Sequence, residues 1–484
     1  MKIRKLLMTV GASAVALSSL AIAPITTASA SDEVDINDNI LETKLVSLGF
    51  DNAVDTKILK SNLLKITDLD LSNLQVSTNG VLIIDLMKNL RSLNLSGNTT
   101  MTNFNTSVGM RNLQSLNVTG MTALQGLSIG NCQLSSFDGS TLTALTGINI
   151  ISCALTSVKL PPTDTLVSID FRNNFLTSID LLATSKLSNV TLSNNALTTV
   201  DLSKLPELYD INLSNNELTT LDLSVNSSLY DFNAPSNFLK SVSLPTSSEL
   251  TYLNLADNQL ATIDLSKSIN LEAILIQQNL LTSIDLSATK QLSYISVSNN
   301  KLRKLNVSSL SLLQQLDVAD NKLKTLDLSS NLSLQLLVLD NNKISKLKLS
   351  NNKKLISVSA ASNRIEKINL SRNTRLLALD ISGNPISRLN TSKVRGLQWL
   401  SIANTPISSL SLQNNSTLLY LDVRFTQLKD LDLTKYSRIF YLSEGNQINI
   451  RFKDKRNGAL RNRIEPSLMG NLFWEFGYMG LMPV

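Results

Sequence analysis

The chain has 484 residues, a formal net charge of +6, two cysteines and no histidine. A single compact core stops growing at about 250 to 300 residues, so this length implies several domains or one elongated repeating body. The missing histidine excludes Ser-His-Asp and Cys-His nucleophile systems, histidine-liganded zinc and imidazole general-base chemistry together. Two cysteines are too few for a disulfide-stapled scaffold, and neither an enzyme, a metal site nor a cofactor is expected.

Residues 1–30 read as an export signal. Lys2, Arg4 and Lys5 form a positive start, an apolar run follows from Leu6 to about Ala23, and Ala28-Ser29-Ala30 supplies the small-x-small cleavage pattern. Beyond it no apolar stretch approaches the roughly 18 to 20 residues needed to span a bilayer, and no Leu-Pro-x-Thr-Gly sorting signal is present. The expectation is a secreted, extracellular protein, with any cell-surface association non-covalent.

Residues 31–65 have a helical period, with Ile40, Leu41, Leu45 and Leu48, then Ile58, Leu59 and Leu63. They predict a short helical cap over the first rung of a repeat array. Asp51 to Asp55 lacks the turn glycine and closing glutamate of a calcium loop and reads as a plain turn.

From residue 66 to 448 the chain repeats. An apolar residue recurs every 21 residues from Leu124 through Leu145, Leu208 and Leu418 to Ile439. Counting each unit from that residue, the pattern is Leu-x-x-Leu-x-Leu-x-x-Asn-x-Leu, then x-x-Leu-Asp-Leu-Ser and a polar turn, as in Leu208, Ile211, Leu213, Asn216, Leu218, Leu221 and Leu223. Leu-x-Leu places both apolar side chains on one face of a short strand. One unit cannot bury that face alone, so units stack and share a core. The predicted fold is a leucine-rich-repeat solenoid of the α/β class, rich in β structure, with a parallel concave sheet.

The ninth position is asparagine in every unit from Asn174 to Asn384, and a buried amide demands partners. An asparagine ladder to the free backbone groups of the adjacent turns is therefore expected. Cys132 and Cys153 occupy the same position in the two preceding units, those beginning Leu124 and Leu145, and read as core thiols. Adjacent rungs lie about 4.8 Å apart, within disulfide reach, but the side chains project side by side, which favours the unbonded arrangement. Aspartate at position fifteen (Asp180, Asp201, Asp222, Asp264, Asp285, Asp327 and Asp432) reads as a turn former, not a calcium row. Upstream, Leu69, Leu71, Leu90, Leu93 and Leu95 with Asn98 keep the strand motif at irregular spacing, and Leu113, Leu116 and Val118 match half a unit. Residues 449–484 form a basic, then aromatic tail, either a cap over the last rung or the remnant of a longer chain.

The unit from Leu208 to Ser224, and the entry Ile66-Thr67-Asp68-Leu69-Asp70-Leu71-Ser72 after the helical segment, resemble bacterial leucine-rich-repeat surface proteins of the internalin type with 21-residue units. The likeness covers roughly residues 35 to 448 and implies adhesion or host-receptor binding on the concave face. This chain departs from the type in three ways: no cysteine recurs at the sixth position, no immunoglobulin-like or mucin-binding-like module follows the repeats, and the sorting signal is missing.

Positions three, five and seven point away from the leucines. Position three runs from Tyr252 to Trp399, Tyr420 and Tyr441, which predict an exposed aromatic ladder at roughly 5 Å steps. Exposed aromatics in a row suit a protein or glycan ligand, although packing of the tail segment Phe473 to Tyr478 over them is an equal alternative. Asp422 and Arg424 flank the ladder. Charge is also divided: residues 166–300 carry 13 acidic and 6 basic side chains, whereas 301–395 carry 6 acidic and 17 basic, so only the later part can attract anions. Lys301, Lys322, Lys343 and Arg364 at position ten, with Lys304, Lys346, Lys367 and Arg388 at position thirteen, predict a lengthwise basic flank. It suits an anionic cell-wall polymer, a glycosaminoglycan or a phospholipid surface, or simply a solvated face. The expected function is an exported protein-binding or adhesion protein, possible partners including a host cell surface. The alternative is an envelope protein held by that flank. Nucleic acid is not expected as a partner.

Overall fold

Each 21-residue unit forms a strand of three to five residues around the first leucine of its Leu-x-Leu step, successive strands pair in parallel, and some units add a second strand, as at Thr220–Asp222 and Ser241–Ser243. The computed structural model describes residues 32–451 apart from 107–108, 247–248, 437–438, 440 and 444–447, with the side chains of 441–443 also outside the description. Residues 1–30, expected to be an export signal, and the residues beyond Arg451 therefore lie outside the described residues. The main sheet runs from Asn103–Asn105 to Tyr441–Ser443. Its register is fixed by the repeat: Asp210, Ile211 and Asn212 face Asp231, Phe232 and Asn233, and Ala378, Leu379 and Asp380 face Trp399, Leu400 and Ser401. Among the described residues no pairing joins the first strand to the last, so the sheet is open and the coil is a solenoid.

The spine is apolar throughout. Leu208, Ile211, Leu213, Leu218 and Leu223 are all fully buried, and one cluster continues from Ile36 to Ile448. The asparagine ladder is present. Asn279 donates its Nδ2 to the carbonyls of Leu255 (2.9 Å) and Ile276 (3.2 Å), while its Oδ1 accepts from the Leu260 amide at 2.9 Å. Each such asparagine thus bonds its own unit and the unit before it.

Two further columns are structural. The eighth position is left-handed in unit after unit, for example Asn215 at φ 54°, Gln278 at 56°, Gly383 at 65° and Phe425 at 55°, which accounts for the run of Asn, Asp, Ser and Gly there. Position nineteen holds Asn226, Asn331, Asn352, Asn373 and Asn415, all fully buried. Asn352 donates to the Leu328 and Asn331 carbonyls at 3.0 and 2.9 Å, forming a second ladder that the sequence reading had passed over. The position-fifteen aspartates form turns: Asp264, Asp285 and Asp327 each accept the amide two residues on at 2.9 Å, and those bonds hold their carboxyls below the usual range. Asn306 and Asn369 do the same where aspartate is replaced.

Three details differ from expectation. Cys132 and Cys153 are joined in a disulfide with a Cα–Cα distance of 4.5 Å, because position nine points into the coil on both rungs and brings the sulfurs together. Residues 32–65 are only partly helical. The helix Asn39–Ser47 is capped by Asp38, whose Oδ1 accepts from the Leu41 amide at 2.9 Å, but Lys57–Leu59 is a strand antiparallel to Glu33–Asp35. There Ile58 is buried between exposed Lys57 and Leu59, an alternation that overrides the helical period. Finally, Asp68–Asp70, Ser92–Asn94 and Ser115–Asn117 form their own three-stranded parallel sheet. The Asn103–Asn105 strand lies between two of them in sequence yet pairs with Gly126–Gly130, so the early coils carry strands on two separate sides.

Candidate binding surface

The concave sheet brings several of the expected residues together. Trp399 and Tyr420 stack with ring centroids 3.5 Å apart and planes within 9°. They are not exposed as expected: 5% and 4% of their surfaces are accessible. Each ring covers a face of the other, and Leu336, Ser357 and Ala378 of the same column are buried too. The Tyr441 backbone continues the register beside Tyr420, while its side chain lies outside the described residues. Asp422 and Arg424 form a forked ion pair, with Nη2 to Oδ2 at 2.6 Å and Nε to Oδ1 at 3.0 Å. The eight residues of the basic flank (Lys301, Lys304, Lys322, Lys343, Lys346, Arg364, Lys367 and Arg388) are all exposed and enter no ion pair among the described residues.

Sequence reasoning missed the carboxylates of the concave floor. Asp340 accepts from the Ser359 hydroxyl at 2.7 Å and the Ala361 amide at 2.6 Å, Asp317 from the Ala319 amide at 3.0 Å, and Asp380 from the Ser382 amide at 2.8 Å. Burial raises all three, Asp340 to about 7. Further toward the N-terminus, Asp210 and Asp231 are register partners beside Tyr209 and Tyr230, whose rings stack at 5.0 Å and remain 48% and 37% exposed. The available signal was the position-three column, followed two units further upstream.

No family model matches the chain, and no curated protein matches it in sequence. Solved structures do. The functional domain of the internalin InlJ from Listeria monocytogenes, described as including a cysteine ladder, is 23% identical, covers 85% of this chain and 81% of its own, and superposes with a TM-score of 0.56. The fold is that of the internalin-like leucine-rich-repeat proteins. A leucine-rich-repeat protein of Leptospira interrogans is 23% identical, with coverage of 70% and 97% and a TM-score of 0.54. A plant peptide hormone receptor, RGFR1, solved in complex with RGF2, is 21% identical, with coverage of 76% and 64% and a TM-score of 0.59. On this leucine-rich-repeat frame positions one, four, six, nine and eleven face inward, and the chemistry left to vary lies on the concave ribbon and the flanks. No helix among the described residues is long and apolar enough to cross a membrane.

Proposed function

We propose that the chain is an exported binding protein, an internalin-like adhesin or receptor-engaging factor without catalytic activity, that meets a protein or glycan partner along its concave sheet. The observation that supports this reading is the division of roles within the unit. Core and ladder positions repeat almost unchanged, whereas positions three, five and seven carry tryptophan, tyrosine, aspartate and arginine with no duty common to every rung. Trp399, Tyr420, Tyr441, Asp422 and Arg424 are the residues assigned to this site, with the buried Trp399, Tyr420 and Asp422 shaping it and Arg424 offering the more exposed group. The receptor of like fold, RGFR1, is itself solved with RGF2 bound. Labelled protein is expected to bind host cells, and a Trp399→Ala/Tyr420→Ala variant with unchanged circular dichroism to lose about tenfold in affinity, as removal of aromatic anchors does. Equal binding by that variant overturns the assignment.

The exposed, unpaired basic flank supports a second reading, electrostatic retention on an anionic cell-envelope polymer. Its signature is salt dependence, since surface charges are screened within a Debye length of about 8 to 10 Å at physiological ionic strength. Elution from heparin or lipoteichoic acid at the same position whatever the salt would remove this reading.

A further inference from the structure

We propose that the concave surface around Tyr209, Asp210, Tyr230 and Asp231 binds an arginine side chain of a protein partner. The inference deepens the concave-face reading and rests on it. Backbone bonds tie Ser188, Tyr209, Tyr230 and Thr251 into successive rungs, with each amide donating to the carbonyl of the rung before at 2.8, 2.9 and 3.0 Å. The two tyrosine rings lie 5° from parallel across that step. The same position in the two flanking rungs holds Ser188 and Thr251, side chains too short to cover an aromatic ring, and Glu249 adds a further carboxyl near Tyr209. The stack is left 48% and 37% exposed at the margin of a sheet whose large concave aromatics are, among the described residues, half-buried or buried.

Beside the stack sit two carboxylates one rung apart. Elsewhere on this sheet acidic side chains are answered from within the chain: Asp170 by Arg172, Asp422 by Arg424, and Asp340 by Ser359 and the Ala361 amide. Asp210 accepts no hydrogen bond among the described residues, and Asp231 accepts only from Asn233 Nδ2, at 2.5 Å. Among the described residues no lysine or arginine nitrogen lies within 4.0 Å of either carboxylate. Burial raises both carboxyls, Asp231 to about 7 with the Asp210 charge contributing, as expected of anions left without a counter-charge. A neutral sugar would leave that charge unanswered. An ammonium would neutralise it but could not lie flat on a ring. A guanidinium does both: it is planar, stacks on aromatic faces, and carries five donors and no acceptor, which draws both carboxyls into their ionised, acceptor-only form.

The test titrates fluorescein-labelled hexa-arginine and hexalysine peptides with the full chain and reads anisotropy. Hexa-arginine is expected to bind about fivefold tighter than hexalysine, the margin stacking gives a guanidinium. Asp210→Asn/Asp231→Asn is expected to weaken hexa-arginine binding about tenfold, as loss of charge-assisted bonds does, with unchanged circular dichroism. Tyr209→Ala/Tyr230→Ala is expected to abolish the preference for arginine over lysine. Wild-type affinity in the Asn double variant, or no preference for arginine in the native chain, overturns the proposal. An equal loss caused by Asp317→Asn/Asp340→Asn also overturns it, because it places the peptide elsewhere on the sheet. In the Trp399→Ala/Tyr420→Ala protein, cell binding speaks only to the broader function. Hexa-arginine binding retained there supports the arginine site, and its loss there overturns it.

Discussion

A ladder asparagine shows how much one side chain carries in this coil. Asn279→Ala removes two inter-unit bonds, leaving the Leu260 amide buried without a partner, while the Leu255 carbonyl keeps its bond from Asn258 Nδ2 at 3.2 Å. A group so orphaned costs about 1 to 3 kcal/mol, and the variant is expected to lose about that much, read from urea denaturation; a loss of a few tenths would mean that water enters the coil. Phe425 is the opposite case. It is left-handed at φ 55° and 58% exposed, at a position other units fill with Asn, Asp, Ser, Gln or Gly. Phe425→Asn is expected to stabilise by about 1 kcal/mol, and a destabilised variant would show that the ring packs on something of value. Asp231 and Asp340 set a pH dependence. The folded chain holds their protons to about 7, whereas an unfolded aspartate releases its proton near 4. Between those limits the folded state binds more protons, so this contribution to stability is greatest at the acid end and is lost as pH rises through 7. Melting temperature is expected to fall from pH 5 to pH 8, less steeply in Asp231→Asn/Asp340→Asn; equal slopes would contradict it.

At the level of strands and turns, the disulfide between neighbouring rungs is the feature most open to measurement. It closes a loop 21 residues apart in sequence, next to the five-residue strands Gly126–Gly130 and Gly147–Ile151. A loop of that size is worth about 3 kcal/mol on the chain-entropy account. Reduction, or Cys132→Ser/Cys153→Ser, is expected to speed amide exchange in those two strands while leaving the strands after Asn300 unaffected; uniform acceleration would mean the coil opens as one unit. Why the bond was not legible in the sequence is instructive. Period and position nine placed both cysteines correctly inside the coil, but whether neighbouring inward side chains converge depends on coil curvature, which a linear pattern does not contain. The same limit applies to Trp399 and Tyr420, where the register and the stacking followed from spacing but burial did not. Asp210 and Asp231 are legible in principle, since they stand in the position-three column one and two units upstream of Tyr252. The early strands were legible at Leu69, Leu93 and Leu116, but their spacing of 24 and 23 residues departs from 21 and no longer says which side of the coil each will join.

For the molecule as a whole, the repeat length is the controlling quantity, since register between rungs is preserved only by whole units. Removal of residues 271–291, a full unit of 21, is expected to leave a shorter coil with native circular dichroism and a cooperative melt, because each unit contacts chiefly its neighbours. Removal of only 271–290 shifts every later leucine by one place and turns inward side chains outward; a native-like melt from that protein would refute the stacking account. The direction of the backbone bonds has a mechanical corollary. Strands lie across the body and their hydrogen bonds run along it, linking one rung to the next. Tension applied to the two ends therefore loads those bonds in series, not side by side, and the body should pay out one turn at a time, like a spring yielding gradually under drag instead of a rod that snaps.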